Sequence, residues 1–520
     1  MRSAASDQRS GRVVSVVAVV VSLAAVFGLA ALLIMPANRS GEGGGQREED
    51  ATPAVVLFCA ASNRSVMDAI LSDYRQETGR EVVVQYGPSQ TLLASLAVSG
   101  VADLFLPADD SYLDAAGEQG LVDAVFPLAE MEAVVAVRRG NPLGIATFDD
   151  LCVDSLRLSM ANPDAAAIGM VTRRMLEASG EWDRLAAAVD AFTTTVNEVA
   201  NAVTLGAADA GIVYDAVLHD YPDLEAVRVA PLGGIRSQVA LAVLSTTTQP
   251  QAASHLARFI AARDRGLLQY EEHGFSALEG DAWDEHPELT LYAGSMLRPA
   301  IEETVVAFEA REGVTVTRVY NGCGILVAQM EAGRVPDAYF ACDVEFMNQV
   351  ADRFPDAEEI SENELVILVP KGNPSGISGL VDLSQAGLRV GIGHEKQCAM
   401  GWLTQRTLSE GGVREEVMEN VVVQTPTGDM LVNQMRSGSL DAAVVYLSNA
   451  VGSGDVLDAI RIKDLPCSIA SQPYGVAEGS PRRRLAERLG ERFRSQQSRE
   501  IFEAEGFRWF DAQAVLSLPE

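Results

Sequence analysis

Residues 55–62 read Val55-Val56-Leu57-Phe58-Cys59-Ala60-Ala61-Ser62, and residues 289–295 read Leu289-Thr290-Leu291-Tyr292-Ala293-Gly294-Ser295. Both are apolar runs that end in a small-residue turn and a serine. The echo continues down the chain. Tyr86-Gly87-Pro88-Ser89-Gln90-Thr91-Leu92 returns as Tyr320-Asn321-Gly322-Cys323-Gly324-Ile325-Leu326, and Ala102-Asp103-Leu104-Phe105 as Pro336-Asp337-Ala338-Tyr339. Gly140-Asn141-Pro142 returns as Gly372-Asn373-Pro374, Ala210-Gly211-Ile212-Val213-Tyr214 as Ala442-Ala443-Val444-Val445-Tyr446, and His273-Gly274-Phe275 as Glu505-Gly506-Phe507. The six offsets are 233, 234, 234, 232, 232 and 232. A shift this constant means two copies of one domain, expected at 53–282 and 286–520 and joined between residues 281 and 287. Solenoid repeats are several-fold shorter.

Within a copy the pattern is α/β. A β-branched strand at 54–58 runs into the Ala60-Ala61-Ser62 turn. Val66, Ile70, Leu71 and Tyr74 then recur at helical spacing. Strands are expected again at 81–85 and 103–106, with a helix at 91–98 between them. Such alternation predicts a mainly parallel sheet whose ligands sit beyond the carboxyl ends of the strands.

Composition narrows the function. The chain has 520 residues and 72 acidic against 40 basic side chains, a formal charge of −32. That charge repels phosphate backbones and anionic lipid, so nucleic acid is excluded as a partner and any bound anion needs local neutral donors. Six cysteines, none in a C-x-x-C pair, make neither a disulfide scaffold nor a zinc ribbon.

The 23 uncharged positions 13–35 reach about 35 Å as a helix, enough to cross a membrane. Arg2, Arg9 and Arg12 precede them. By the positive-inside rule residues 1–12 stay in the cytoplasm, 13–35 form a transmembrane signal anchor, and 36–52 are a flexible tether. Both copies are then expected outside the cytoplasmic membrane. A cleaved signal peptide is the competing reading.

No G-x-S-x-G elbow, H-E-x-x-H, Walker A or G-x-G-x-x-G sequence is present, and the five histidines fall at unrelated places in the two copies. The chain therefore reads as a binding protein and not an enzyme. Paired acids such as Asp109-Asp110 read as solvated or capping loop residues. What recurs is small hydroxyl or glycine residues at strand-to-helix turns: Ser62, Ser89, Ile168-Gly169 and Tyr214, then Ser295, Gly322-Cys323-Gly324, Met400-Gly401 and Tyr446. Helix N-termini there offer free N–H groups, and together with hydroxyls they suit a dehydrated oxyanion. Plain N-capping by Ser62 and Ser295 is the alternative.

These motifs, in this order and twice over, resemble the molybdate/tungstate-binding receptors of ABC importers, which are type II periplasmic binding proteins. The resemblance covers nearly all of both copies and implies two tandem domains, each of two α/β lobes around a cleft. It implies that two serines, two backbone amides and a tyrosine hold the anion. In the first copy these are Ser62, Ser89, the amides of Ile168 and Val196, and Tyr214. In the second they are Ser295, Cys323, the amides of Met400 and Gly428, and Tyr446, with a thiol where the second serine belongs. Cys398, His394 and Met296 fall in the same pair of cleft segments as Cys323. Unrelated free thiols, a Cys323–Cys398 disulfide and a soft-metal site for Cu(I) all remain open. The expected function is capture of molybdate or tungstate for an ABC permease, with no cofactor and no resident metal. The alternatives are a receptor for another small oxyanion or a soft metal ion, or a non-transport sensor or structural protein.

Overall fold

A computed structural model describes residues 53–510. The expected anchor 13–35, the tether 36–52 and residues 511–520 lie outside the described residues. Among the described residues no helix is long and apolar enough to cross a membrane.

The first copy has ten strands: β1 (Val55–Ala60), β2 (Val82–Gly87), β3 (Leu104–Leu106), β4 (Val122–Arg138), β5 (Leu158–Ala161), β6 (Val189–Thr193), β7 (Ala210–Tyr214), β8 (Leu224–Val227), β9 (Arg236–Leu244) and β10 (Ser276–Ala277). They run in the order β2-β1-β3-β9-β4-β7-β5-β6, with β8 and β10 also paired to β4. The helix expected from Val66, Ile70 and Tyr74 spans Arg64–Thr78 and buries those three side chains; Gly79 ends it in the left-handed region.

β4 divides the copy into two lobes. Its residues up to Glu132 pair with β9, and from Ala133 onward they pair with β7. The first lobe therefore holds β1–β3, β9 and β10, and the second holds β5–β8. β1 pairs parallel with β2 and β3, and β5 with β6 and β7. The mainly parallel sheet expected from the sequence is instead mixed. β4 and β9, which carry the chain out of the first lobe and back, run antiparallel to β3, β7, β8 and each other.

The second copy repeats this order with β11 (Glu288–Gly294), β12 (Thr315–Asn321), β13 (Ala338–Phe340), β14 (Glu358–Pro370), β15 (Val390–Gly393), β16 (Val421–Thr425), β17 (Ala442–Tyr446), β18 (Leu457–Arg461), β19 (Ile469–Val476) and β20 (Arg508–Trp509).

The copies are docked through their first lobes. The helix Arg298–Glu312 lies on the helix Pro250–Ile260. At their contact Glu312 is fully buried, 3.1 Å from Arg488 Nη2, while Arg258 donates to its backbone carbonyl. Burial pushes the Arg258 guanidinium down to about 10. Arg488 also stacks 4.1 Å over the Phe126 ring, and Arg492 donates to Asp123 at 2.6 Å. The junction itself is structured: Asp281 accepts the first-turn amides of Arg484 and Leu485, each at 3.0 Å, at the start of the helix Arg483–Phe493.

Candidate functional site

Ser62, Ser89, Ile168, Val196 and Tyr214 all line one cleft between the lobes of the first copy, a space of about 380 Å³. Among the described residues that line it, none carries a charged side chain. Ser62 and Ser89 come from the first lobe, where β1 and β2 end. Ser62 sits in a short 3-10 turn and caps no helix, and neither does Ser295 in its matching turn. The N-capping alternative is thereby removed for both.

Ser89 opens the helix Ser89–Ser99, and its Oγ accepts the amide of Ala108 at 3.0 Å. With that lone pair used, the hydroxyl hydrogen is left to donate. From the second lobe, Ile168 lies in the first turn of the helix Ala167–Ser179, and Val196 opens the helix Val196–Thr204. First-turn amides have no carbonyl partner within their own helix. Gly169 explains how the Ile168 amide reaches the cleft. A Cβ there would stand 2.4 Å from the Ala161 carbonyl oxygen, so only glycine lets the helix start against the end of β5. Gly401 meets Gly393 in the same way at 2.5 Å.

Tyr214 ends β7 and is buried. Its hydroxyl donates to Ser237 Oγ at 3.1 Å, and Ser237 Oγ donates to Asp109. Asp109 is 2% exposed, and its other oxygen accepts the amide of Ser111 at 3.0 Å and the Ser111 hydroxyl. The solvated loop acid expected at Asp109 is thus a buried carboxylate behind the cleft. Burial, with the charge of Asp109 adding to it, pushes the Tyr214 phenol far up. A faint signal was present, because Asp343 stands at the matching place in the second copy.

The second cleft is smaller, about 260 Å³. Ser295, Met400, Gly428 and Tyr446 line it and Cys323 does not. Cys323 is fully buried and bonded to Cys342, with Cα atoms 6.5 Å apart. Its Sγ accepts the amide of Cys342 at 3.1 Å, as Ser89 Oγ accepts that of Ala108. The sulfur therefore stands where the serine oxygen stands and has no hydrogen to donate. This corrects the pairing considered above: Cys398 is a free, buried thiol, pushed up to about 11 by burial. Met296 lines the cleft, whereas His394 does not and instead accepts the Lys396 amide at 3.2 Å. Among the described residues no three His, Cys, Asp or Glu side chains cluster to hold a metal.

Two further differences separate the clefts. A Cβ at Gly322 would lie 2.3 Å from the Gln397 carbonyl, and one at Gly324 2.0 Å from that of Lys396. The lobes of the second copy thus meet backbone to backbone, where the first copy places Pro88 and Gln90. By strand register Ala470 takes the place of Ser237, since Met131 faces Ser237 and the matching Asn363 faces Ala470. The Tyr446 hydroxyl is buried without a partner. Asp343, in the place of Asp109, is pushed up to about 7 by burial.

A family model described as "Bacterial extracellular solute-binding protein" matches residues 55–276 and again 289–508. The molybdate-binding protein ModA of Mycobacterium bovis is 30% identical over 228 residues, which are 43% of this chain and 84% of that protein. Among solved structures, the periplasmic molybdate-binding protein of Azotobacter vinelandii aligns with a TM-score of 0.38 at 18% identity, covering 43% of this chain and all of that one. The sulfate-binding protein SubI of Mycobacterium tuberculosis aligns at 0.39 and 18%, covering 45% and 93%. The ModA relative is about one copy long, as a duplication requires. With its two matched segments and two lobed clefts, this chain belongs to the bacterial extracellular solute-binding proteins, a family that binds ligands without catalysis, and carries the family's domain twice.

Proposed function

We propose that the protein is the exported binding component of an ABC importer and that its first cleft captures a tetrahedral oxyanion, molybdate or tungstate. The observation that carries this reading is the convergence of two serine hydroxyls, two first-turn amides and a tyrosine on one cleft without a charged lining side chain. Neutral donors fixed on both lobes hold a dehydrated anion as the lobes close and need no countercharge. The relationship to a molybdate-binding protein at 30% identity supports the ligand class. An ABC permease in the cytoplasmic membrane is the partner, and residues 13–35 hold both copies on its outer side.

The test is calorimetric titration of the protein with molybdate, tungstate, sulfate and phosphate. Stoichiometric binding of the two larger anions, with sulfate excluded, is expected. A shorter anion leaves fixed donors unpaired at about 1–3 kcal/mol each. No heat with molybdate or tungstate would refute the ligand. For the anchor, peptides preceding Val13 are expected in the membrane fraction by mass spectrometry. Only a soluble protein beginning near Ala37 would replace it with a cleaved signal.

A further inference from the structure

The hydrogen bonds behind the first cleft have a direction. An ionised carboxylate only accepts, so the Ser237 hydroxyl hydrogen points at Asp109. The Ser237 oxygen must then accept, and the Tyr214 hydrogen points at Ser237, away from the cleft. In this arrangement Tyr214 turns an oxygen lone pair toward an incoming anion, which is repulsive. We infer that the first cleft takes up its oxyanion together with one proton, carried by the Asp109–Ser237–Tyr214 chain. This inference rests on the oxyanion reading of the same cleft.

The proton balance is simple. With Asp109 ionised, the chain holds two hydrogens, one on Ser237 and one on Tyr214. One proton from bulk water then joins Asp109. Asp109 donates to Ser237, Ser237 donates to Tyr214, and the Tyr214 hydrogen turns to the anion. No heavy-atom bond forms or breaks.

The anion itself drives the step. A negative charge brought close to a carboxylate favours the protonated form. The ionisable groups that the Asp109 charge reaches are acids and phenols: Asp110 and Tyr112 come from its own segment and Tyr214 from β7, with Asp114 acting on Asp110. Its hydrogen-bond partners are the neutral Ser111 and Ser237. The second copy supplies the contrast. Ala470 interrupts the same path there, and Tyr446 keeps its hydrogen free.

The experiment is titration of the whole protein with molybdate near pH 8 in buffers of different ionisation heat, repeated across pH. Proton uptake close to one per anion at the first cleft is expected, with affinity falling about tenfold per pH unit over the window of uptake. In Asp109→Asn the amide oxygen is held by the two Ser111 donors, so the amide N–H faces Ser237 and the chain is set permanently in its reversed direction. That variant should bind molybdate at least as tightly at pH 8 and without proton uptake. Ser237→Ala, which cuts the chain without touching Asp109, should also bind without uptake. Wild-type binding with no proton taken up overturns the inference and leaves the oxyanion reading standing. So does an Asp109→Asn protein that keeps the wild-type pH slope or binds more weakly at every pH. Failure of the wild type to bind any oxyanion overturns both.

Discussion

Replacing Cys323 by Ser and Cys342 by Ala would give the second cleft the pair that the first one has in Ser89 and Ala108. The amide of residue 342 already points at the sulfur from 3.1 Å, against 3.0 Å in the first copy, so the new hydroxyl oxygen would keep that bond and turn its hydrogen to the cleft. A hydrogen bond to a charged group is worth about 1.5–3 kcal/mol, or roughly one to two decades of affinity. The double variant should therefore bind molybdate about 10- to 100-fold more tightly at the second cleft than wild type, where binding should be at least about tenfold weaker than at the first. The change also has a stability cost. The disulfide closes a loop of 19 residues, and removing a loop of that size costs about 3 kcal/mol, visible as a lower Tm. Calorimetry would read the second cleft alone in a background of Ser62→Ala and Ser89→Ala, which silence the first. Affinity unchanged by the double substitution, in a variant that still melts cooperatively, would refute the argument that the missing hydroxyl sets the difference between the clefts.

Other expectations follow from single contacts. Ser62→Ala should weaken molybdate binding at the first cleft about tenfold or more, since one donor to the anion is lost; equal affinity by titration would remove Ser62 from the site. Gly169→Ala should lower both Tm and first-cleft affinity, because its methyl meets the Ala161 carbonyl at 2.4 Å and must displace the turn that presents the Ile168 amide. Asp343 holds its proton more tightly when folded, so its effect is to lower stability as pH rises from the ordinary carboxyl range near 4 to about 7. Asp343→Asn should flatten the fall in Tm over that window while still accepting the Glu345 amide, and an unchanged profile would count against a buried acid there. Arg488→Met should destabilise the protein by about 3–5 kcal/mol by leaving the Glu312 carboxylate buried with less compensation. Denaturation should then separate into two transitions, one per copy.

The duplication made much of the fold legible. A strand, a turn and a serine seen once are weak; seen twice at a fixed offset they identify a domain and mark its turns. Ser62 and Tyr214 could be picked out because their hydroxyls recur at the matching turns, Ser89 because a small residue stands in its place, and the Ile168 amide because Gly169 is beside it; Val196 came only from the family resemblance. Asp109 was missed because its burial depends on Ser237, 128 residues further along, and nothing local distinguishes it from a solvated turn acid. The disulfide was sought between the two cleft walls. It forms instead within one lobe, between residues just past the ends of β12 and β13, two strands that flank β11, and that proximity is invisible in the spacing of 19. The antiparallel course of β4 and β9 was hidden for the same reason, because strand direction is settled by partners a hundred residues away.

Arginine–carboxylate pairs hold the contact between the copies at Asp123, Asp284 and Glu312, and Asp281 adds its bonds to two backbone amides. Two separate chains meeting through so polar a face would have to overcome dilution. Here the short stretch between Asp281 and Glu288 keeps each face near its partner at an effective concentration on the order of millimolar. Even a contact with a Kd of only about 0.1 mM would then stay largely formed, and it would do so at any protein concentration. Fusing the genes relieved this surface of any need to be sticky. A single proteolytic cut at the junction would let the halves drift apart in dilute solution.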